Sequence, residues 1–166
     1  MSGRSIQKER EDFFENAFQR KEAGNRFMNE RNPEAALPEY ITAVSALEDG
    51  LRRVGGSVAV EELLFICSVN QLQAHLDLQQ HEEARSVAEK AAKFAKKSRV
   101  FEDIHSQLPS TQLLVFAKFP FRYAKALHSC GETELALDLV NSIIEAGYEN
   151  DEVILFRDEL EEIEPK

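Results

Sequence analysis

Three groups of small or apolar residues recur along the chain with one internal spacing. Ala36, Tyr40 and Ala43, then Ala84, Ala88 and Ala91, then Ala136, Val140 and Ile143 each step by four and then three positions. That spacing marks one face of an α-helix. Twelve positions ahead of each leading alanine stand Gly24, Leu72 and Ala124, each on a preceding helix. The pattern predicts an all-α chain built of repeated helix pairs.

Breakers set the limits of these helices. A first long helix is expected from Ile6 to about Asn29, with Phe14, Ala17, Phe18 and Phe27 on its apolar stripe and charged residues opposite. Asn32-Pro33 is a helix start, an N-cap followed by proline in the first turn. The second helix should run to about Arg53, ahead of Gly55-Gly56, and Pro38 should bend it. A third is expected from Val58 to Leu78 and a fourth from Glu82 to about Lys97. Pro109-Ser110 marks the start of a fifth, which ends near Gly131, and a sixth covers Thr133 to Glu145. A seventh, Asp151 to Ile163, places Val153, Phe156, Leu160 and Ile163 on one stripe, as a helix covering the end of a stack would.

Charge narrows the functional classes. With 30 acidic against 20 basic residues and a formal net charge of −10, a broad basic surface for nucleic acid is not expected. No segment approaches the roughly 20 apolar residues of a membrane span, and the N-terminal residues lack a signal-peptide apolar core. The expectation is therefore no nucleic acid, no membrane and a cytoplasmic setting. Cys67 and Cys130 fall on first helices of different pairs and read as buried free thiols. His75, His81, His105 and His128 show no metal-ligand spacing with cysteines or acids, so no metal and no cofactor are expected.

The stretch Lys21-Glu22-Ala23-Gly24-Asn25-Arg26-Phe27, followed by Ala36, Tyr40 and Ala43, resembles the opening of a tetratricopeptide (TPR) repeat. The resemblance implies three TPR helix-turn-helix repeats with extended helices, over about 6–53, 58–104 and 110–147, in a right-handed superhelical stack. A capping helix over about 151–163 would close it, within a single domain spanning 1–166. More specifically, the chain resembles co-chaperone TPR domains that carry a carboxylate clamp. Their groove holds Lys and Asn from the first repeat, Asn from the second, and Lys plus Arg or Lys from the third. The corresponding places here are Lys21, Asn25, Asn70, Lys118 and Arg122. Gln73, Phe121, Lys125 and His128 are further groove candidates.

The resemblance implies a non-catalytic adaptor that grips the Glu-Glu-Val-Asp tail of seventy- or ninety-kilodalton heat-shock chaperones. The chemistry suits the residue types. Cations attract the two carboxylates of a C-terminal Asp, while Asn amides donate directional hydrogen bonds without adding charge repulsion; charge-assisted bonds of this kind are about twice as strong as neutral ones. Arg122 offers a planar fork, and Lys21 and Lys118 act as point charges. Arg122 and Lys21 are expected to dominate. The alternatives are a TPR scaffold for another peptide or protein, and a structural subunit that associates through its ends. No GxSxG, phosphate-cradling loop or HExxH is present, so an enzyme is not expected. Acidic runs such as Asp158-Glu159-Leu160-Glu161-Glu162 read as a solvated helix face.

Two features depart from the repeat pattern. The leading alanines stand 48 and 52 residues apart, against a TPR unit of about 34, which calls for lengthened helices. The added apolar stretch Val100–Phe116 is expected to bury its own face in a hairpin, the alternative being a second contact surface. Pro120, between Lys118 and Arg122, must either kink the fifth helix or start it, which makes Lys118 the least secure clamp member. Leu72, where the family prefers a small residue, suggests looser packing in the second repeat.

Overall fold

The same turn ends four helices among the described residues, three of them at one repeat position. Arg31, Gln79 and Gly131 take left-handed backbone angles, with φ of 58°, 57° and 83°. The next residue in each case, Asn32, Gln80 and Glu132, donates its backbone N–H to the carbonyls of Phe27, His75 and Leu127 at 2.8, 2.9 and 2.9 Å. This is the long-range bond of a Schellman helix ending. Gly147, with φ of 92°, and the Tyr148 N–H to Ile143 bond repeat it once more. Each of the first three turns lies five residues ahead of Ala36, Ala84 or Ala136, so the turns keep the period that the alanines set.

A computed structural model describes residues 3–98 and 110–163, with side chains described except at Arg4 and at 110–117. It contains α1 (Gly3–Asn29), α2 (Pro33–Val54), α3 (Val58–Asp77), α4 (His81–Lys97), α5 (Ser110–Ser129), α6 (Thr133–Glu145) and α7 (Asp151–Ile163), with no strand among the described residues. The helices form consecutive antiparallel-type pairs, α1 with α2, α3 with α4 and α5 with α6. Neighbouring pairs meet through α2 on α3, and through α3 and α4 on α5, while α7 packs on α6. This is an all-α helical repeat fold. The Val100–Phe116 stretch lies outside the residues whose side chains are described.

Capping chemistry fixes the starts. The Asn32 side chain accepts from the Ala35 N–H at 3.2 Å with Pro33 opening α2, and Ser57 caps α3 through the Val60 N–H at 3.4 Å. Asn150 does the same for α7, accepting from the Val153 N–H at 2.9 Å. Such caps contribute about 1 kcal/mol each. The core then runs as a series of seams. Phe13, Ala17, Ala43, Leu47 and Leu63 bury the first seam; Phe65, Val69, Leu72, Phe119 and Ala126 the second; Ala136, Val140, Val153 and Leu160 the third.

Several expectations need correction. Helix α5 does not start at Pro120 but passes through it; the lost hydrogen bond, costing about 3 kcal/mol, is tolerated where Phe119 is buried against Phe65 with ring centroids 5.2 Å apart. Leu72 brings no looseness, being fully buried in the second seam. Cys67 is a buried free thiol, but Cys130 is only half-buried, just past the end of α5, where its Sγ meets the His81 carbonyl at 3.3 Å. The α7 stripe ends at Leu160, because Ile163 is 54 % exposed. Helix α1 begins at Gly3, a turn earlier than expected.

Candidate functional site

Gly24 and Asn25 are consecutive on α1 and act together. A Cβ at Gly24 would come within 2.5 Å of the Tyr40 ring, so only glycine lets α2 bring that ring against α1. The approach carries the Tyr40 hydroxyl to Asn25, where it donates to Oδ1 at 2.7 Å. From α3, Asn70 Nδ2 donates to the same oxygen at 3.2 Å. Two partners on Oδ1 tie the first two helix pairs together at one polar point. Burial raises the Tyr40 phenol to about 12, with Cys67 adding to the rise and Arg122 opposing it. The hydroxyl therefore keeps its proton throughout the physiological range.

Beside this point a cleft of about 330 Å³ opens, lined by Asn25, Met28, Asn29, Tyr40, Asn70, Gln73, Lys118 and Arg122. Arg122, from α5, donates through one guanidinium nitrogen to the Val69 carbonyl at 3.0 Å. Burial lowers its pKa below the ordinary arginine value, while Tyr40, Asp77 and Glu152 act in the opposite direction. No ion pair to Arg122 is present among the described residues. Lys118, one turn earlier on α5, is exposed at the rim. Gln73 donates to Asp77 at 2.7 Å. Among the described residues no carboxylate lines the cleft, although the chain carries 30 acidic side chains.

The other candidates lie elsewhere. Lys21 is not part of the cleft lining; its ammonium sits 4.5 Å from the centre of the Phe18 ring and 3.3 Å from Glu22, with the side chain 15 % exposed. Phe121, Lys125 and His128 turn toward α7. Lys125 lies over Phe121 at 4.5 Å and pairs with Glu152 at 3.2 Å, while Phe121 and His128 both pack edge-on against Phe156. His128 also meets the Thr133 hydroxyl at 3.2 Å. The structure thus brings Asn25, Asn70, Gln73, Lys118 and Arg122 together and leaves Lys21, Phe121, Lys125 and His128 outside.

Three lining residues were not expected: Met28, Asn29 and Tyr40. A signal for two of them was present. Asn29 follows Asn25 by one helical turn, and Tyr40 is polar where the equivalent places hold Ala88 and Val140.

A second valley, of about 560 Å³, lies across α3 and includes Ile41, Val44, Leu64, Val87 and Phe94, with Lys90 and Glu48 paired at 2.7 Å along it. It is mainly apolar, and unlike the smaller cleft it has a carboxylate, Glu48, among its lining residues. Among the described residues no cluster of three metal-binding side chains occurs, and no helix is long and apolar enough to cross a membrane.

The donor-rich cleft suits an anionic guest: side-chain amides, a guanidinium and an ammonium line it with no carboxylate among the lining residues described, Asp77 standing behind Gln73. No protein-family model matches the chain, and no curated protein matches it in sequence. A solved structure that it resembles is the second TPR domain of the human RPAP3 protein, determined in complex with the HSP70 peptide SGPTIEEVD. The likeness has a TM-score of 0.62 at 17% identity and covers 90% of this chain and 98% of that one. Similarity at that level concerns the backbone, and it shows that the fold is TPR-like.

Proposed function

We propose that this protein is a non-catalytic interaction module whose cleft grips the acidic C-terminal tail, of Glu-Glu-Val-Asp type, of a heat-shock chaperone. In this reading it is a cytoplasmic co-chaperone adaptor with a single domain of three repeats and a capping helix. The observation that carries the reading is Arg122. A largely buried guanidinium with one carbonyl partner and no ion pair among the described residues has donors left for a carboxylate. Asn25, Asn70 and Lys118 stand around the same space. The RPAP3 domain, solved with a peptide ending in EEVD, supports the choice of guest.

A scaffold for a different acidic peptide is the second reading. It is favoured by Lys21, which is engaged with Phe18 and Glu22 outside the cleft lining. Calorimetric titration with a Glu-Glu-Val-Asp peptide, as the free acid and as the C-terminal amide, tests the proposal. The free acid should bind and the amide should bind far more weakly, and affinity should fall with salt as exposed charge is screened over about 8–10 Å. Equal affinity for the two peptides would sink the tail-binding reading.

A further inference from the structure

Asn side chains are ambiguous participants in a carboxylate site, because the same amide offers a donor on one side and an acceptor on the other. An Asn that turned its oxygen toward the guest would repel the anion it should bind. The contacts around Asn25 remove that ambiguity. Its Oδ1 already accepts from the Tyr40 hydroxyl and from Asn70 Nδ2. Inverting the amide would set N–H groups against both partners. The Tyr40 hydroxyl, on a side chain only 1 % exposed, would then have to find another acceptor inside the protein, and an unsatisfied buried donor is costly.

We infer that Tyr40 is a positioning residue, which fixes Asn25 with its Nδ2 amide toward the cleft so that the guest carboxylate meets the Asn25 N–H groups and not its oxygen. The inference rests on the tail-binding reading and deepens it: selectivity for a free carboxylate over an amide originates partly in an almost fully buried side chain at the cleft wall. The ring and the hydroxyl of Tyr40 have separable tasks. The ring fills the space that Gly24 leaves open, and the hydroxyl sets the amide. Phenylalanine retains the first and removes the second. Ala88 and Val140, at the equivalent places of the other two pairs, carry no hydroxyl, so the device belongs to the first pair.

The test compares wild type with Tyr40→Phe, using free-acid and amidated Glu-Glu-Val-Asp peptides in calorimetry and following thermal unfolding of both proteins. The variant should lose about three- to tenfold in affinity for the free acid, the scale of one hydrogen bond. Its affinity for the amide should stay the same, so the ratio between the two peptides shrinks. A wild type that does not distinguish the peptides overturns the tail-binding reading and this inference with it. A wild type that does, beside a folded variant with the full ratio, overturns the positioning role alone. Should the variant fail to fold, the wild-type Asn25 side-chain amide resonances decide. A shift with the free-acid peptide and none with the amide supports the assignment; no shift with either overturns it.

Discussion

Arg122 and Lys125 lie less than one turn apart on α5, yet they face different neighbours. Arg122 enters the cleft beside Asn25 and Asn70 and donates to a backbone carbonyl. Lys125 meets α7, which supplies a carboxylate from Glu152 while Phe121 supplies an aromatic face. The difference teaches that availability for a guest is set by the partners that stand beside each cation. The cleft end of α5 has no acid in its lining among the described residues; the capped end has its cation matched. Lys21 behaves like Lys125, with a ring and a carboxylate of its own helix at hand.

The sharpest way to break this comparison is to remove each cation in turn. Arg122→Ala should weaken tail-peptide binding by about 2–5 kcal/mol, as for a desolvated charge pair, measured by calorimetry. Losses of similar size from Lys125→Ala would show that the capped end shares the site. Gly24→Ala tests the scaffold beneath the cleft. The added methyl meets the Tyr40 ring, so overpacking should cost about 1–3 kcal/mol in chemical denaturation and displace the hydroxyl from Asn25.

Smaller effects refine the contrast. Lys118→Ala removes an exposed rim charge and should cost up to about 1 kcal/mol at low salt, with the loss fading as ionic strength rises. A loss at low salt larger than that from Arg122→Ala would invert the ranking. Lys125→Ala should change tail affinity least, by no more than a few tenths of a kcal/mol, because it exchanges one exposed ion pair for solvent. Lys21→Ala belongs between these two, acting on the cleft through space.

The helix pairs were legible because small residues on one helical face leave a spacing that no other element shares, and Ala36, Ala84 and Ala136 mark it. The turns were legible only in part. Gly131 signals a left-handed ending, whereas Arg31 and Gln79 take the same conformation with residue types that give no hint of it. Within the site, positions on a helix face could be read, and Asn25, Asn70 and Arg122 share the cleft. Side-chain direction could not. Lys21 occupies the expected helical position, but a long flexible stem is drawn to Phe18 and Glu22, a choice among rotamers that spacing does not encode. The bond from Tyr40 to Asn25 was hidden for a related reason: it depends on the approach at Gly24, a property of two helices together.

The seams between helix pairs bear on how the chain would respond to a guest. Where each pair packs chiefly on the next, unfolding can start at an end and advance one pair at a time. The cleft draws its lining from α1, α2, α3 and α5, and thus from all three pairs. A molecule held there penalises opening of any one of them, since every such opening forfeits the same binding energy. At a guest concentration one hundred times its dissociation constant, that linkage is about 2.7 kcal/mol. Amide hydrogen exchange would register it as slowed opening shared by helices far apart in the chain, turning a row of semi-independent units into one cooperative body.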